Sequence, residues 1–156
     1  MSTLPRGAAA IRYRLVPARP EAHLYEVSCT VLRPDPEGQR FALPVWIPGS
    51  YLVRDFARHV VSIRARSGRR EVPLIKLDNN TWQAAPCDGV LTVTMEVYAW
   101  DLSVRGAHLD TTHGFFNGTS VFLRVVGQES QRCEVELVRP RGRRYAAWRV
   151  ATAMRR

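Results

Sequence analysis

The feature that most narrows what this chain can fold into is a hydrophobic period of two. Across residues 90–99 the odd positions Leu91, Val93, Met95, Val97 and Ala99 are apolar, while Thr92, Thr94 and Glu96 between them are polar. That is the pattern of a strand with one buried face and one wet face. The alternation returns in Ile11, Tyr13 and Leu15 against Arg12 and Arg14, and in Tyr25, Val27, Cys29 and Val31 against Glu26, Ser28 and Thr30. It returns again in Val61, Ile63 and Ala65 against Ser62, Arg64 and Arg66, and in Cys133, Val135 and Leu137 against Glu134 and Glu136. Residues 41–46, 81–84, 121–126 and 148–152 are shorter strand candidates.

Turn chemistry separates these runs: Pro34-Asp35-Pro36-Glu37-Gly38, Ser67-Gly68-Arg69, Asp78-Asn79-Asn80 and Asp88-Gly89. The one short helix expected lies in residues 50–60, with Ser50 as its cap and Leu52, Val53 and Phe56 on one side. Short strands with no crossover helices predict an all-β, antiparallel sandwich. The prediction is one domain over residues 1–156, with flexible ends at 1–10 and 153–156. The final candidate strand, 148–152, has no turn or partner after it, which suggests a chain cut from something longer.

A chain of 156 residues with 46% apolar and 24% charged side chains can build a core without staples. The three cysteines, Cys29, Cys87 and Cys133, are too few and too widely spaced for a disulfide framework or a zinc knuckle. Each is expected to be a small buried side chain in a reducing compartment. With no secretory signal legible at the N-terminus and no long apolar run, the expected location is the cytoplasm and no membrane partner is expected.

The net charge of +9 is concentrated at one end. Residues 139–156 hold seven arginines and no acid, leaving 16 basic against 14 acidic residues before them. Solvated arginines are the expectation, since a phosphate-reading stripe would cross a folded face with interleaved aromatics. A stand-alone β binding module, holding nucleic acid through this Arg-rich segment, is the alternative reading.

Catalytic constellations are sparse. Ser50, Asp55 and His59 have the residue types of a hydrolytic triad, but no nucleophile elbow surrounds the serine. Neither phosphate-binding glycine loop occurs, and no His-Glu-x-x-His is present. His108, Asp110 and His113 are potential metal ligands. In an extended segment positions 108 and 110 face one way and 113 the other; on a helix the two histidines lie about 140° apart, at roughly 100° per residue. The expectation is therefore a loop with local hydrogen bonds and no metal. A small metal hydrolase built on this trio is a further competing reading. Trp46, Trp82, Trp100 and Trp148 fall in or beside strand candidates and are expected in core or interface packing.

Four blocks carry a resemblance. The first is Leu43-Pro44-Val45-Trp46-Ile47-Pro48-Gly49-Ser50-Tyr51-Leu52-Val53-Arg54-Asp55-Phe56-Ala57-Arg58-His59, and the second is Lys76-Leu77-Asp78-Asn79-Asn80-Thr81-Trp82. Then come Val97-Tyr98-Ala99-Trp100-Asp101-Leu102-Ser103-Val104-Arg105 and, after His108-Leu109-Asp110, His113-Gly114-Phe115-Phe116-Asn117-Gly118-Thr119-Ser120. In this order they resemble the N-terminal domain of the glycyl aminopeptidase family of zinc peptidases, over residues 11–153. Members of that family follow this domain with a thermolysin-like catalytic domain and then a PDZ domain.

The resemblance implies a saddle-like, non-catalytic β domain that docks on its own catalytic domain and walls a cleft for peptides with small N-terminal residues. Zinc would belong to that catalytic domain, and no cofactor to this chain. From their chemistry, polar groups in loops beside paired aromatics, Tyr51, Arg54, Phe115, Phe116 and Asn117 are the candidates to face the cleft. A fold-keeping role competes with cleft-lining and outweighs it for any one residue: Arg54 with Asp55, or Asp101 with Arg105, would serve as buried ion pairs. An exposed apolar patch is expected where the catalytic domain would sit.

Overall fold

The computed structural model describes residues 9–154. Strands β1 (Ile11–Arg19), β2 (Leu24–Val31), β4 (Val60–Ser67), β5 (Arg70–Val72), β8 (Leu91–Tyr98) and β12 (Cys133–Leu137) form one six-stranded sheet in the order β12-β1-β2-β8-β4-β5. A second, four-stranded sheet orders β11 (Arg124–Val125), β3 (Arg40–Ala42), β7 (Thr81–Ala84) and β6 (Leu74–Lys76). β9 (Ala107–Leu109) and β10 (Gly114–Phe116) pair as a separate hairpin. The chain changes sheets at Pro73, the single residue between β5 and β6, whose carbonyl accepts from Ala85 N–H.

The period of two decides burial in the large sheet. Tyr25, Val27, Cys29 and Val31 of β2 and Leu91, Val93, Met95 and Val97 of β8 all point into one core. Phe41, Leu43, Trp82, Ala84 and Val125, in and beside the small sheet, fill that core from the other side, which makes the domain a sandwich. On the wet face the register sets opposite charges and hydroxyls side by side. Arg14 Nε lies 3.1 Å from Glu136, Arg19 donates to Glu96 at 2.9 Å, and Thr30 meets Thr92 at 3.0 Å. Buried Gln39 ties the end of a turn to the small sheet: its Nε2 donates to the Arg40 and Val126 carbonyls, and its Oε1 accepts from Asp35 N–H and Gln128 Nε2.

The structure corrects several expectations. The sandwich is not wholly antiparallel, because β12 runs parallel to β1. Val61 points outward, 60% exposed, because a register shift between Val60 and Ser62 inserts one residue and flips its side chain. The candidate strand at 41–46 stops after Ala42, since Pro44 lacks an N–H for a ladder and Leu43 is bonded instead to Asn80. Residues 121–126 are divided between the end of a helical turn, α1 (Gly118–Val121), and β11. Residues 148–152 form no strand; Trp148 N–H donates to Tyr145 O in a turn.

In residues 50–60 only a 3-10 turn forms, at Phe56–His59, and Asp55 rather than Ser50 precedes it. Of the cysteines, Cys29 is buried, Cys87 half-buried and Cys133 exposed on the edge strand. Of the tryptophans, Trp82 is buried, whereas Trp46 and Trp100 are more than half exposed. Of the ends expected to be flexible, residues 1–8 and 155–156 lie outside the described residues. Ala9 is buried, and Ala10 bonds Arg132 O and Leu32 N–H. No helix among the described residues is long and apolar enough to cross a membrane.

Candidate functional site

The sequence-nominated residues gather at one end of the sandwich, on residues 44–59 and 98–123. In the first segment Pro48-Gly49 makes a turn closed by Ser50 N–H to Ile47 O, and Arg54 N–H reaches back to Val45 O at 2.6 Å. This loop buries Phe56 and Ala57 but leaves Tyr51 fully exposed and Leu52 and Val53 largely so. Ser50 is buried, and among the described residues no hydrogen bond joins it to Asp55 or His59, so the three do not act as a triad. Burial, reinforced by the neighbouring Arg58, pushes the His59 imidazole below its ordinary range.

The second segment extends β8 past its end. Leu109 N–H donates to Ala99 O and Asp101 N–H to Ala107 O, so residues 99–101 pair with β9 before the chain loops out through Leu102 and Val104. Both of these side chains are 73% exposed. Arg54, Asp55, Trp100, Asp101 and Ser120 line a cavity of about 120 Å³ between the two segments. Arg54 Nε is buried without a partner. Among the described residues no ion pair joins Arg54 to Asp55 or Asp101 to Arg105, so the buried-pair reading of those residues does not hold.

Phe115, Phe116 and Asn117 follow from the hairpin. Phe115 sits opposite His108 in its register and remains partly exposed. Phe116 packs edge-on against Tyr25 and Phe122. Asn117 caps α1: its Oδ1 accepts from Thr119 N–H at 3.1 Å and from Thr119 Oγ1 at 2.7 Å. Phe115 and Phe116 line a different space from Arg54, an apolar groove of about 480 Å³ bounded also by Tyr13, Leu137 and Trp148. The five candidates thus share one end of the molecule but do not form a single pocket. The apolar loop residues Leu102 and Val104 escaped sequence reasoning, although apolar side chains in a segment without a strand partner were the available signal.

His108 lies in β9, and residues 110–113 make the turn of the β9–β10 hairpin, which doubles back and brings His113 beside His108 and Asp110, an arrangement that neither geometry weighed from sequence gives. The expected local hydrogen bonds are present. Asp110 Oδ1 accepts from Thr112 N–H, Thr112 Oγ1 and His113 N–H at 2.7, 2.6 and 2.9 Å. These bonds, the Thr112 hydroxyl first, hold the Asp110 carboxyl far below the usual carboxylate range. Tyr25 Oη donates to His108 O at 3.0 Å, and a Cβ on Gly114 would run into that same hydroxyl.

The arginines of residues 139–149 are partly occupied within their own segment. Arg139 and Arg149 both donate to Ala146 O, and Arg144 lies over the Tyr145 ring.

Comparison with known proteins matches this arrangement to a family. The peptidase M61 N-terminal domain matches residues 12–156. A crystal structure of an aminopeptidase N family protein from Idiomarina loihiensis is 44% identical to this chain and superimposes on 92% of it with a TM-score of 0.87. The match covers 24% of that protein's chain, so this chain spans about a quarter of its length. No curated protein matches. With the family's N-terminal domain covering nearly every residue described above, the chain belongs to the M61 peptidases, as their N-terminal domain.

Proposed function

We propose that this chain is the non-catalytic N-terminal domain of a zinc aminopeptidase acting on peptides with small N-terminal residues, and that it docks on the catalytic part of the protein and walls its substrate cleft. The observation that carries this reading is the exposed apolar end: Tyr51, Leu52 and Val53 on one loop, Trp100, Leu102 and Val104 on the other. A monomeric domain that closes its core elsewhere does not leave so many large apolar side chains in water without a partner. The partner is the catalytic part, in keeping with a solved relative whose chain is about four times the matched length. In this reading Tyr51 and Arg54 meet the catalytic part directly, and the hairpin presents Phe115 beside the peptide's path. A cytoplasmic setting accords with three free cysteines.

Tyr51→Ala in the full-length enzyme tests the reading, because a fully exposed side chain can be removed without touching the core. The expected result is a several-fold change in kcat/KM for short peptides with zinc content unchanged. Asn117→Ala should move turnover as well, but together with stability, since it also removes a helix cap worth about 1 kcal/mol. Wild-type kinetics for both variants, or peptide hydrolysis by the isolated chain, would reject the proposal.

A further inference from the structure

The turn of the β9–β10 hairpin brings three metal-ligating groups to one point, and the inference drawn from it is independent of what the parent protein hydrolyses. We propose that His108, Asp110 and His113 bind a divalent transition-metal ion, zinc foremost, which fastens the hairpin that carries Phe115 to Asn117. The ligand atoms all lie within 4.8 Å of one another. His108 Nε2 is 3.1 Å from Asp110 Oδ2, and His113 Nδ1 is 3.5 Å from Asp110 Oδ1. Two donors held at 2.0–2.1 Å by a tetrahedral ion stand roughly 3.3 Å apart, so the His108–Oδ2 separation already matches. The edges to His113, whose ligand atom lies within 4.8 Å of the others, close by rotation of its exposed ring.

The donor chemistry points the same way. Two imidazoles and a carboxylate suit zinc rather than the oxygen-seeking calcium or magnesium. Asp110 Oδ1 is filled by three donors, which leaves Oδ2, facing His108 Nε2 at 3.1 Å, as the oxygen for the metal. His108 is preorganised: it is buried, stacked on Trp100 at 4.8 Å, and its backbone carbonyl is held by Tyr25.

Two costs limit affinity. His113 Nδ1 must leave Thr112 Oγ1, 3.0 Å away, with its proton passing to Nε2 of the same half-exposed ring. His108 Nδ1 is buried without a partner, so the outer-shell acceptor that usually steadies a zinc-bound histidine is missing, a loss of about 10–100-fold. Three protein ligands leave one coordination position to water.

Titration of the chain with Zn²⁺ alone, followed by calorimetry, tests this; Cys133→Ser should serve as the background, so that the exposed thiol does not compete. One zinc per chain is expected, with a thermal midpoint that rises with zinc. Co²⁺ should give tetrahedral visible absorption and quench Trp100 fluorescence, and Trp100→Phe should abolish the quenching while zinc still binds. His113→Ala should weaken binding by about tenfold or more, whereas His59→Ala should not. If His113→Ala misfolds by circular dichroism, Asp110→Asn provides the second test, since an amide oxygen keeps the turn's acceptor while removing the ligand charge. Absence of stoichiometric zinc, or undiminished binding in the folded variant, would overturn the proposal.

Discussion

The six-stranded sheet and the end of the sandwich built from residues 44–59 and 98–123 draw on the same kinds of side chain and dispose of them in opposite ways. In the sheet, Val31, Leu91 and Val93 are fully buried, and even the outward face is paired charge to charge. At the end, Tyr51, Leu52, Leu102 and Val104 stand in water while polar Ser50, His108 and Ser120 are buried. The difference teaches where the selective pressure differs. A ladder fixes each side chain's direction by position, so apolar residues there serve the core. A loop imposes no such direction, so apolar residues pushed outward serve something that approaches from outside.

The comparison is broken most forcefully in the sheet. Leu91→Ala, at a fully buried position between Val31 and Ser67 in register, should cost about 2–5 kcal/mol, measured by urea unfolding of the chain. A loss below about 1 kcal/mol would mean that this sheet is not the stabilising half. An intermediate effect is expected where the two regions meet. Gly114→Ala drives a methyl group into the Tyr25 hydroxyl and should cost about 1–3 kcal/mol. Tyr25→Phe in the same chain removes the colliding oxygen and should restore part of that loss, a non-additivity that a double-mutant cycle reads directly. The smallest effect belongs to the exposed end: Leu102→Ser should leave stability of the chain within about 0.5 kcal/mol. A larger loss there would show that the loop packs against its own domain instead of waiting for another.

Most of the fold was legible because the large sheet follows one rule. β1, β2, β8 and β12 fall where alternation places them, and the all-β sandwich follows. Sequence reasoning failed where a tertiary event outranked the local pattern. The inserted residue at Val61 reverses one side chain with no change in composition, and the switch of sheets at Pro73 makes two short strands out of a run with no clear period. The parallel partner of β1 was invisible because no local signal says which edge a distant strand will seek.

The candidate site was legible in part, because the dense blocks around Tyr51 and Phe115–Asn117 do converge on one end of the molecule. What could not be read was that His108, Asp110 and His113 meet. That requires a tight turn, and its only local mark is the aspartate whose side chain holds Thr112 and His113.

The parallel pairing of β12 with β1 sets an order on how the polypeptide can mature. β2 can join β1 as soon as the two have been made, yet the far side of β1 opposite Cys133 to Leu137 keeps its ladder groups unmatched until nearly the whole domain has been made. Throughout that interval a nascent chain on the ribosome exposes a sticky border to its neighbours. Arg12 and Arg14 stand on that strand, and their charges are matched only when Glu134 and Glu136 of β12 arrive beside them.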